Sequence, residues 1–353
     1  MQNEIIKKIE TLLDYTQQKS FTNYPEYSAD EVNQIIEQEA KLTRLNYLSR
    51  IKEFQKSNLS DSHSGNKKFV VFWGYPGAGK SFMVDKLIKR HQQENPDILF
   101  NIIDKDQHRD IFGNLFEHLR GHVEECEKFG RPAMDYVRQI LQLTLESGNK
   151  SVISIGAMGA GSEFCDNART AIDNGYQTQA VYMCVNPDVA YLSNVYRCCT
   201  LYDKMIHQGQ ELYPRLVSRP YFDGVQQKLD GMILQIDAFQ KQNPDNVELL
   251  VVNRANQTIY DSQQTSEQSV LGKIHFEENR LLSSNELILI NKQISLIDTN
   301  IRHRCENNIY YPSQKEITAM QTALSNIEAQ VVKTQAANTL KFFLLNDRKE
   351  KAV

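Results

Sequence analysis

The sequence has no long hydrophobic run. No apolar stretch approaches the ~20 residues that cross a bilayer, so no membrane partner is expected. Nor is there a cysteine pattern. The six cysteines form no C-x-x-C pair and no Cys/His cluster, which removes the usual reading of a zinc module and fits reduced thiols in a cytosol. The adjacent Cys198 and Cys199 read as packing residues, and His118 and His122, four apart, lack further ligands at metal-site spacing. Charge of one sign is not in excess either: 40 Lys and Arg face 44 Asp and Glu, a net charge of −4. That balance predicts neither a nucleic-acid partner nor an acidic membrane partner. The opening MQNEIIKKIETLLDY lacks an uninterrupted apolar core and does not read as a Sec signal peptide.

What is present is enough hydrophobic residue, 41%, for a real core, in a chain of 353 residues that fits one to three domains. The most informative stretch is FVVFWGYPGAGKS, residues 69–81. Strand formers Phe69 to Trp73 run into Gly74, Tyr75, Pro76, Gly77, Ala78, Gly79, Lys80 and Ser81, and an amphipathic segment starts at Phe82. This is G-x-x-x-x-G-K-[ST] with a strand before it and a helix after it, the context that makes the motif a phosphate-binding loop. The glycines let backbone N–H groups close around phosphate oxygens, at the positive end of the following helix. Lys80 is expected on the β- and γ-phosphates of ATP and Ser81 on Mg²⁺. The alternative is a plain glycine-rich turn.

Around this loop the chain falls into three parts. Residues 1–66 read as helical, with a capping box at Ser28 and Glu31, helical spacing from Val32 to Ile51, and a polar linker at 61–68. Residues 67–262 alternate strands and helices. Strands are expected at 99–104, 151–155, 179–185 and 247–253, with a break at Gly130-Arg131-Pro132 before a helix over 133–147. That alternation predicts an α/β domain, a parallel sheet flanked by helices with the phosphate loop after its first strand. Residues 263–353 return to helix, with a second capping box at Ser313 and Glu316. The fold class is thus α/β with helical N- and C-terminal extensions.

Three further groups bear on chemistry. Asp104 and Asp106 lie at the carboxyl end of the second strand, where ligands bind in open α/β sheets. As residues i and i+2 of a strand they face one side. Asp106 is the candidate general base that takes a proton from a substrate hydroxyl, and Asp104 a candidate for ordering the metal's hydration or binding substrate. Aspartates at strand ends also cap helices, and Arg109 balances the acidic cluster. The stretch 196–220 carries Arg197, Arg215 and Arg219 among tyrosines, either phosphate-binding residues of a mobile lid or a solvated basic face. Gly156 opens a second glycine turn, G-x-x-G-x-G, which is not the dinucleotide fingerprint. It allows close approach of substrate or makes a simple turn.

Taken in order, GYPGAGKS, IIDKDQHR, VISIGAMG, the segment from Asp173 to Arg197 and LLVVNRANQTIY resemble the zeta toxin family, the kinase half of bacterial toxin–antitoxin pairs and of some secreted effectors. The resemblance covers 67–262. It implies a phosphotransferase that uses ATP and Mg²⁺, with UDP-N-acetylglucosamine the best-known acceptor. It implies Lys80 and Ser81 on ATP and Mg²⁺, Asp106 as base, Arg197 and either Arg219 or Arg215 as lid arginines, and Arg254 in a turn beside the adenine. An antitoxin or other inhibitory protein partner follows from it too, as does a bacterial cytosol, or a host cytosol for a secreted effector. In one departure, the family's Ile-Glu-Gly-Thr at the third strand is replaced by Ile153-Ser154-Ile155-Gly156-Ala157. A site that loses such polar contacts loses discrimination for its usual acceptor. The expected function is therefore a kinase acting on a hydroxyl of a small, nucleotide-linked or sugar-linked molecule. The alternatives are a catalytically altered ATP-binding regulator and a kinase acting on a macromolecule. The N-terminal helices read as a hairpin packed on the core, with cover of the nucleotide site in cis by residues 1–60 as the alternative.

Overall fold

The structure is a computed structural model. It describes residues 1–22, 28, 30–31, 34, 49, 67–94, 96, 100–104, 130–148, 150–156, 161–208, 216–264 and 269–350. In chain order the elements are α1 (Gln2–Gln17), β1 (Lys67–Gly74), α2 (Lys80–Glu94), β2 (Phe100–Asp104), α3 (Gly130–Ser147) and β3 (Ser151–Ile155). Then come α4 (Gly161–Asp173), β4 (Tyr176–Cys184), α5 (Pro187–Gln208), α6 (Arg219–Gln242), β5 (Val247–Asn253) and β6 (Thr258–Asp261). Helices α7 (Val270–Asn279), α8 (Ser284–Asn307) and α9 (Gln314–Glu350) complete the set. No described helix is long and apolar enough to cross a membrane.

The chain divides into two compact units. The α/β unit, Pro25–Val185 with Arg219–Glu278, is built on one six-stranded sheet of order β2-β3-β1-β4-β5-β6. Every pairing is parallel except β5 with β6. Strand β1 is interior to the sheet, and its residues Phe69 to Gly74 are all buried, as expected of a parallel strand covered on both faces. Aromatic contacts join sheet to helices: Trp73 meets Phe164 of α4 edge-on at 5.0 Å, and Phe164 meets Phe239 of α6 at 6.2 Å. The order places β1 at a topological switch point. The chain leaves β1 toward the β2 edge and leaves β4 toward β5, so a crevice opens at the carboxyl ends of these strands.

The helical unit, Met1–Tyr24, Asn186–Ser218 and Asn279–Val353, packs α1, α5, α8 and α9 together. Polar bonds fix their register: Gln293 Nε2 donates to Ser193 Oγ at 2.8 Å, Lys8 Nζ to Asn291 Oδ1 at 2.8 Å and Gln321 Nε2 to Thr16 Oγ1 at 2.9 Å. At its centre Arg304, 1% exposed, donates Nη2 to Glu316 Oε2 at 2.9 Å and Nε to the Tyr310 carbonyl at 2.7 Å. The ring of Tyr202 lies 3.6 Å from the guanidinium carbon. Cys198 and Cys199 are buried here, and burial pushes both thiols up.

The strands at 151–155 and 247–253 fall where the sequence puts them, and β4 begins three residues early. Hairpin strand β6 was not expected. The supposed break at Gly130-Arg131-Pro132 is the first turn of α3, where proline's missing N–H costs nothing. The Ser28–Glu31 box is formed in both directions, Ser28 N–H to Glu31 Oε2 at 2.8 Å and Glu31 N–H to Ser28 Oγ at 3.2 Å. At Ser313 one half of the box is made. Glu316 N–H reaches Ser313 Oγ at 3.1 Å, while the Glu316 carboxylate is taken by Arg304. A full box that went unread caps α8, at Ser283 and Glu286. The stretch read as a lid is helix as far as Gln208, and Arg219 opens α6. Of the linker expected at 61–68, Lys67 and Lys68 belong to β1; residues 61–66, the apolar positions proposed for a helical face between Val32 and Ile51, and His118 with His122 lie outside the described residues.

Candidate functional site

Gly74, Gly77 and Gly79 have φ of +149°, +83° and +96°, values that L side chains rarely adopt. At Gly74 a Cβ would also stand 2.9 Å from both Cβ and the carbonyl oxygen of Met183 on the neighbouring strand. The turn closes through the Ala78 N–H, which donates to the Tyr75 carbonyl at 3.0 Å. Helix α2 starts at Lys80, and its first regular bond runs from Met83 N–H to the Gly79 carbonyl at 3.4 Å. The N–H groups of Lys80, Ser81 and Phe82 thus belong to the open end of a helix, where donors lack intrahelical acceptors and the dipole favours an anion. Lys80 Nζ folds back over the turn and donates to the carbonyls of Gly74 at 2.9 Å and Tyr75 at 3.0 Å. Ser81 and Phe82 are exposed.

A second element grips the turn from outside. The β5–β6 hairpin carries Arg254, whose Nε donates to the Ala78 carbonyl at 3.2 Å and whose Nη2 donates to the Gly77 carbonyl. In a trans peptide the carbonyl and the next N–H point opposite ways. Holding the Ala78 carbonyl toward Arg254 therefore turns the Gly79 N–H the other way. The hairpin itself is fixed by Asn253, which is 4% exposed. Its Oδ1 accepts from the N–H groups of Ala255 and Gln257, each at 3.0 Å, and its Nδ2 donates to Glu277 Oε1 at 3.1 Å.

Beneath the turn lies a buried aromatic and acidic layer. Tyr75 is wholly buried and stacks on Phe222 of α6 with centroids 5.0 Å apart. The Tyr182 hydroxyl donates to Glu278 Oε1 at 2.8 Å. Burial raises the Glu278 carboxyl to about 7, against the opposing pull of that hydrogen bond. Burial, then the nearby Glu278 charge, raises both tyrosine hydroxyls. Arg219 reaches the same layer: its guanidinium lies 5.6 Å from the Phe222 ring, and Nε donates to Asp223 at 2.7 Å.

On the other side of β1, Asp104 pairs with Ile155, and Ile155 with Phe72. The half-buried Asp104 therefore ends β2 at the sheet's carboxyl edge, level with the last residues before the turn. The Gly156 N–H donates to the Phe72 carbonyl at 3.1 Å, so the second glycine turn begins against β1 itself. Of the residues singled out in the sequence, the structure brings Gly74 to Phe82, Arg254, Asp104, Gly156 and, through Phe222, Arg219 to one end of one sheet. Arg197 sits on α5 in the helical unit. Asp106, Arg109 and Arg215 lie outside the described residues. Sequence reasoning missed Tyr182, Phe222, Glu277 and Glu278. The one available signal was the acidic pair Glu277-Glu278 directly after Phe276.

Among the described residues no cluster of His, Cys, Asp and Glu has the makings of a metal site. Comparison with known proteins adds the following. The family model for Zeta toxin matches residues 52–265. Among solved structures, a chain of the PezAT chromosomal toxin–antitoxin system of Streptococcus pneumoniae is 15% identical, with 78% of this chain and 99% of that chain covered and a TM-score of 0.53. A chain of AvrRxo1-ORF1:-ORF2 with ATP is 9% identical, with 86% and 96% covered and a TM-score of 0.46. The first likeness concerns the fold. No curated protein matches the chain.

Proposed function

The chain belongs to the zeta toxin family of nucleotide-binding, kinase-type toxins, and on that premise we propose that it transfers the γ-phosphoryl group of ATP to a hydroxyl of a small nucleotide-linked or sugar-linked molecule. The observation that carries this reading is the glycine turn at Gly74–Lys80, with its carbonyls held by Arg254 and its helix N-terminus open. A concavity of backbone N–H groups at a helix start suits a phosphate, and the cramped position of Gly74 leaves no room for a side chain.

In this reading Lys80 swings from its carbonyl partners to the β- and γ-phosphates. Ser81 would hold Mg²⁺, which when bound offsets charge on the phosphate oxygens. Asp106 removes the proton of the acceptor hydroxyl, Asp104 and Arg109 border the acceptor, and Arg197 with Arg219 or Arg215 stabilises the charge of the transferring group. Gly156 lets the acceptor approach β1 closely. Because Ser154-Ile155-Gly156-Ala157 stands where polar side chains would hold UDP-N-acetylglucosamine, the acceptor is proposed to differ from that molecule. An antitoxin-like protein is the proposed partner.

The same departure favours a second reading, a nucleotide-binding regulator without acceptor chemistry. The two are separated by incubating a cell extract with the protein and labelled ATP, then finding labelled products by mass spectrometry. A labelled metabolite that forms with the wild type and not with Lys80→Ala supports the kinase. Tight ATP binding with no labelled metabolite or protein moves the assignment to the regulator.

A further inference from the structure

We infer that Glu277 and Glu278, which lie beyond the family-matched segment, are positioning residues for the phosphate-binding turn, each holding one end of it. The inference rests on reading that turn as a nucleotide site. Both side chains are buried, 7% and 6% exposed. A buried carboxylate is costly unless its partners need it. Helix α7, which carries the pair, packs within the α/β unit, where Cys184 Sγ of β4 also contacts the Ile274 carbonyl at 3.6 Å.

Glu277 acts on the far end. A carboxylate only accepts, so its bond to Asn253 Nδ2 at 3.1 Å, beside the one from Nδ2 to Gln257 Oε1 at 3.0 Å, sets which way that amide faces. With nitrogen toward Glu277, Asn253 Oδ1 is left to accept from Ala255 and Gln257. That turn presents Arg254, and Arg254 holds the carbonyls of Gly77 and Ala78. Reversing the amide would set two N–H donors against the Asn253 nitrogen and undo the turn.

Glu278 acts on the near end. It accepts from Tyr182 on β4. The next residue on that strand, Met183, is the one packed against Gly74. Tyr75, the first residue of the turn after Gly74, shares the same buried layer and feels the Glu278 charge. Adjacent residues of one helix thus brace a loop that lies some two hundred residues earlier in the chain.

The test uses the full chain and ATP with Mg²⁺, with binding measured by calorimetry and thermal midpoints recorded alongside. Lys273→Ala, half-buried on the same helix, serves as the control. Glu277→Gln offers the Asn253 amide a donor as well as an acceptor, and should weaken ATP binding about tenfold or more, while Lys273→Ala should leave it unchanged. Glu278 is read through pH. Among the groups facing it are Tyr75 and Tyr182, His275 on its own helix, and Asp230 on α6. Its ionisation places a negative charge under the loop, so wild-type affinity should fall between pH 6 and pH 8, on the order of several-fold. Glu278→Gln should be flatter, and it supplies the reference because the terminal phosphate of ATP titrates in the same range. Tyr182→Phe preserves the ring and should move the titration to higher pH. That variant keeps the inference testable if Glu278→Gln does not fold. Wild-type affinities and pH profiles in all of these variants would overturn the inference even if their thermal midpoints drop. A wild type that binds no ATP would bring down the nucleotide reading itself, and the inference with it.

Discussion

The Arg254 side chain donates to the Ala78 carbonyl across 176 residues of sequence, at 3.2 Å. With its second bond, to Gly77, it makes the β5–β6 hairpin part of the glycine turn. Arg254→Ala removes both charge-assisted donors, each worth about 1.5–3 kcal/mol. ATP affinity is expected to fall by about tenfold to a hundredfold, with a smaller loss in Arg254→Lys, which keeps the charge and loses the planar fork. Calorimetric titration with ATP and Mg²⁺ measures both, and equal affinity in Arg254→Ala would remove Arg254 from the site.

Lys80→Ala and Asp106→Ala should separate binding from chemistry. Both are expected to lower turnover by at least about a hundredfold. Only Lys80→Ala should lose ATP affinity, since Asp106 is assigned to the acceptor. Once an acceptor is identified, steady-state rates and ATP titrations on the two variants check this. An active Asp106→Ala would remove the base assignment.

Glu278 should leave a mark on stability. Its folded value of about 7 lies above the ordinary 4.5. Between those values the folded state holds more protons than the unfolded chain, so stability falls as pH rises. The contribution is fully present below about pH 4.5 and is lost as pH rises through about 7. The span corresponds to about 3 kcal/mol. Urea unfolding at pH 5 and pH 8 should show the wild type losing most of this, about 2.5 kcal/mol, relative to Glu278→Gln, and parallel behaviour of the two would contradict it.

In the helical unit the Arg304–Glu316 pair is closed off from water, Arg304 being 1% exposed. Arg304→Met strands a buried carboxylate and should cost about 3–5 kcal/mol. The double variant Arg304→Met with Glu316→Leu should recover most of the loss. Denaturant unfolding of the three proteins measures it, and a double variant no better than the single would show that lost packing rather than lost charge dominates.

The strand–glycine turn–helix unit and most strands were legible because local sequence determines them. Strand β1 needs a run of apolar residues, and the positive φ values of the turn need Gly74, Gly77 and Gly79. The helix break expected at Pro132 failed because a proline in the first turn loses no hydrogen bond. At Ser313 the local motif identified the cap and missed the carboxylate, since Arg304 competes for Glu316 from twelve residues upstream. Phe222, Tyr182, Glu277 and Glu278 were illegible for a stronger reason. What makes them matter is a neighbour brought in by tertiary folding, and a buried glutamate leaves no periodic trace. Arg254 was reachable only by resemblance to a family. Its grip on the carbonyls of Gly77 and Ala78 is a feature of the fold.

The bond between Arg254 and Gly77 spans 177 residues, and that distance is also an interval of time. At ~5–20 residues per second a ribosome takes roughly 10–35 s to reach the second partner after making the first. The glycine turn is thus among the first parts of the α/β unit to be synthesised and among the last to be completed. A chain stalled between β4 and β5 should retain no ATP on a nucleotide resin while the released protein does. If so, a growing polypeptide of this kind is inert until the β5–β6 hairpin has been made, and the cell that makes it gains that interval before the activity exists.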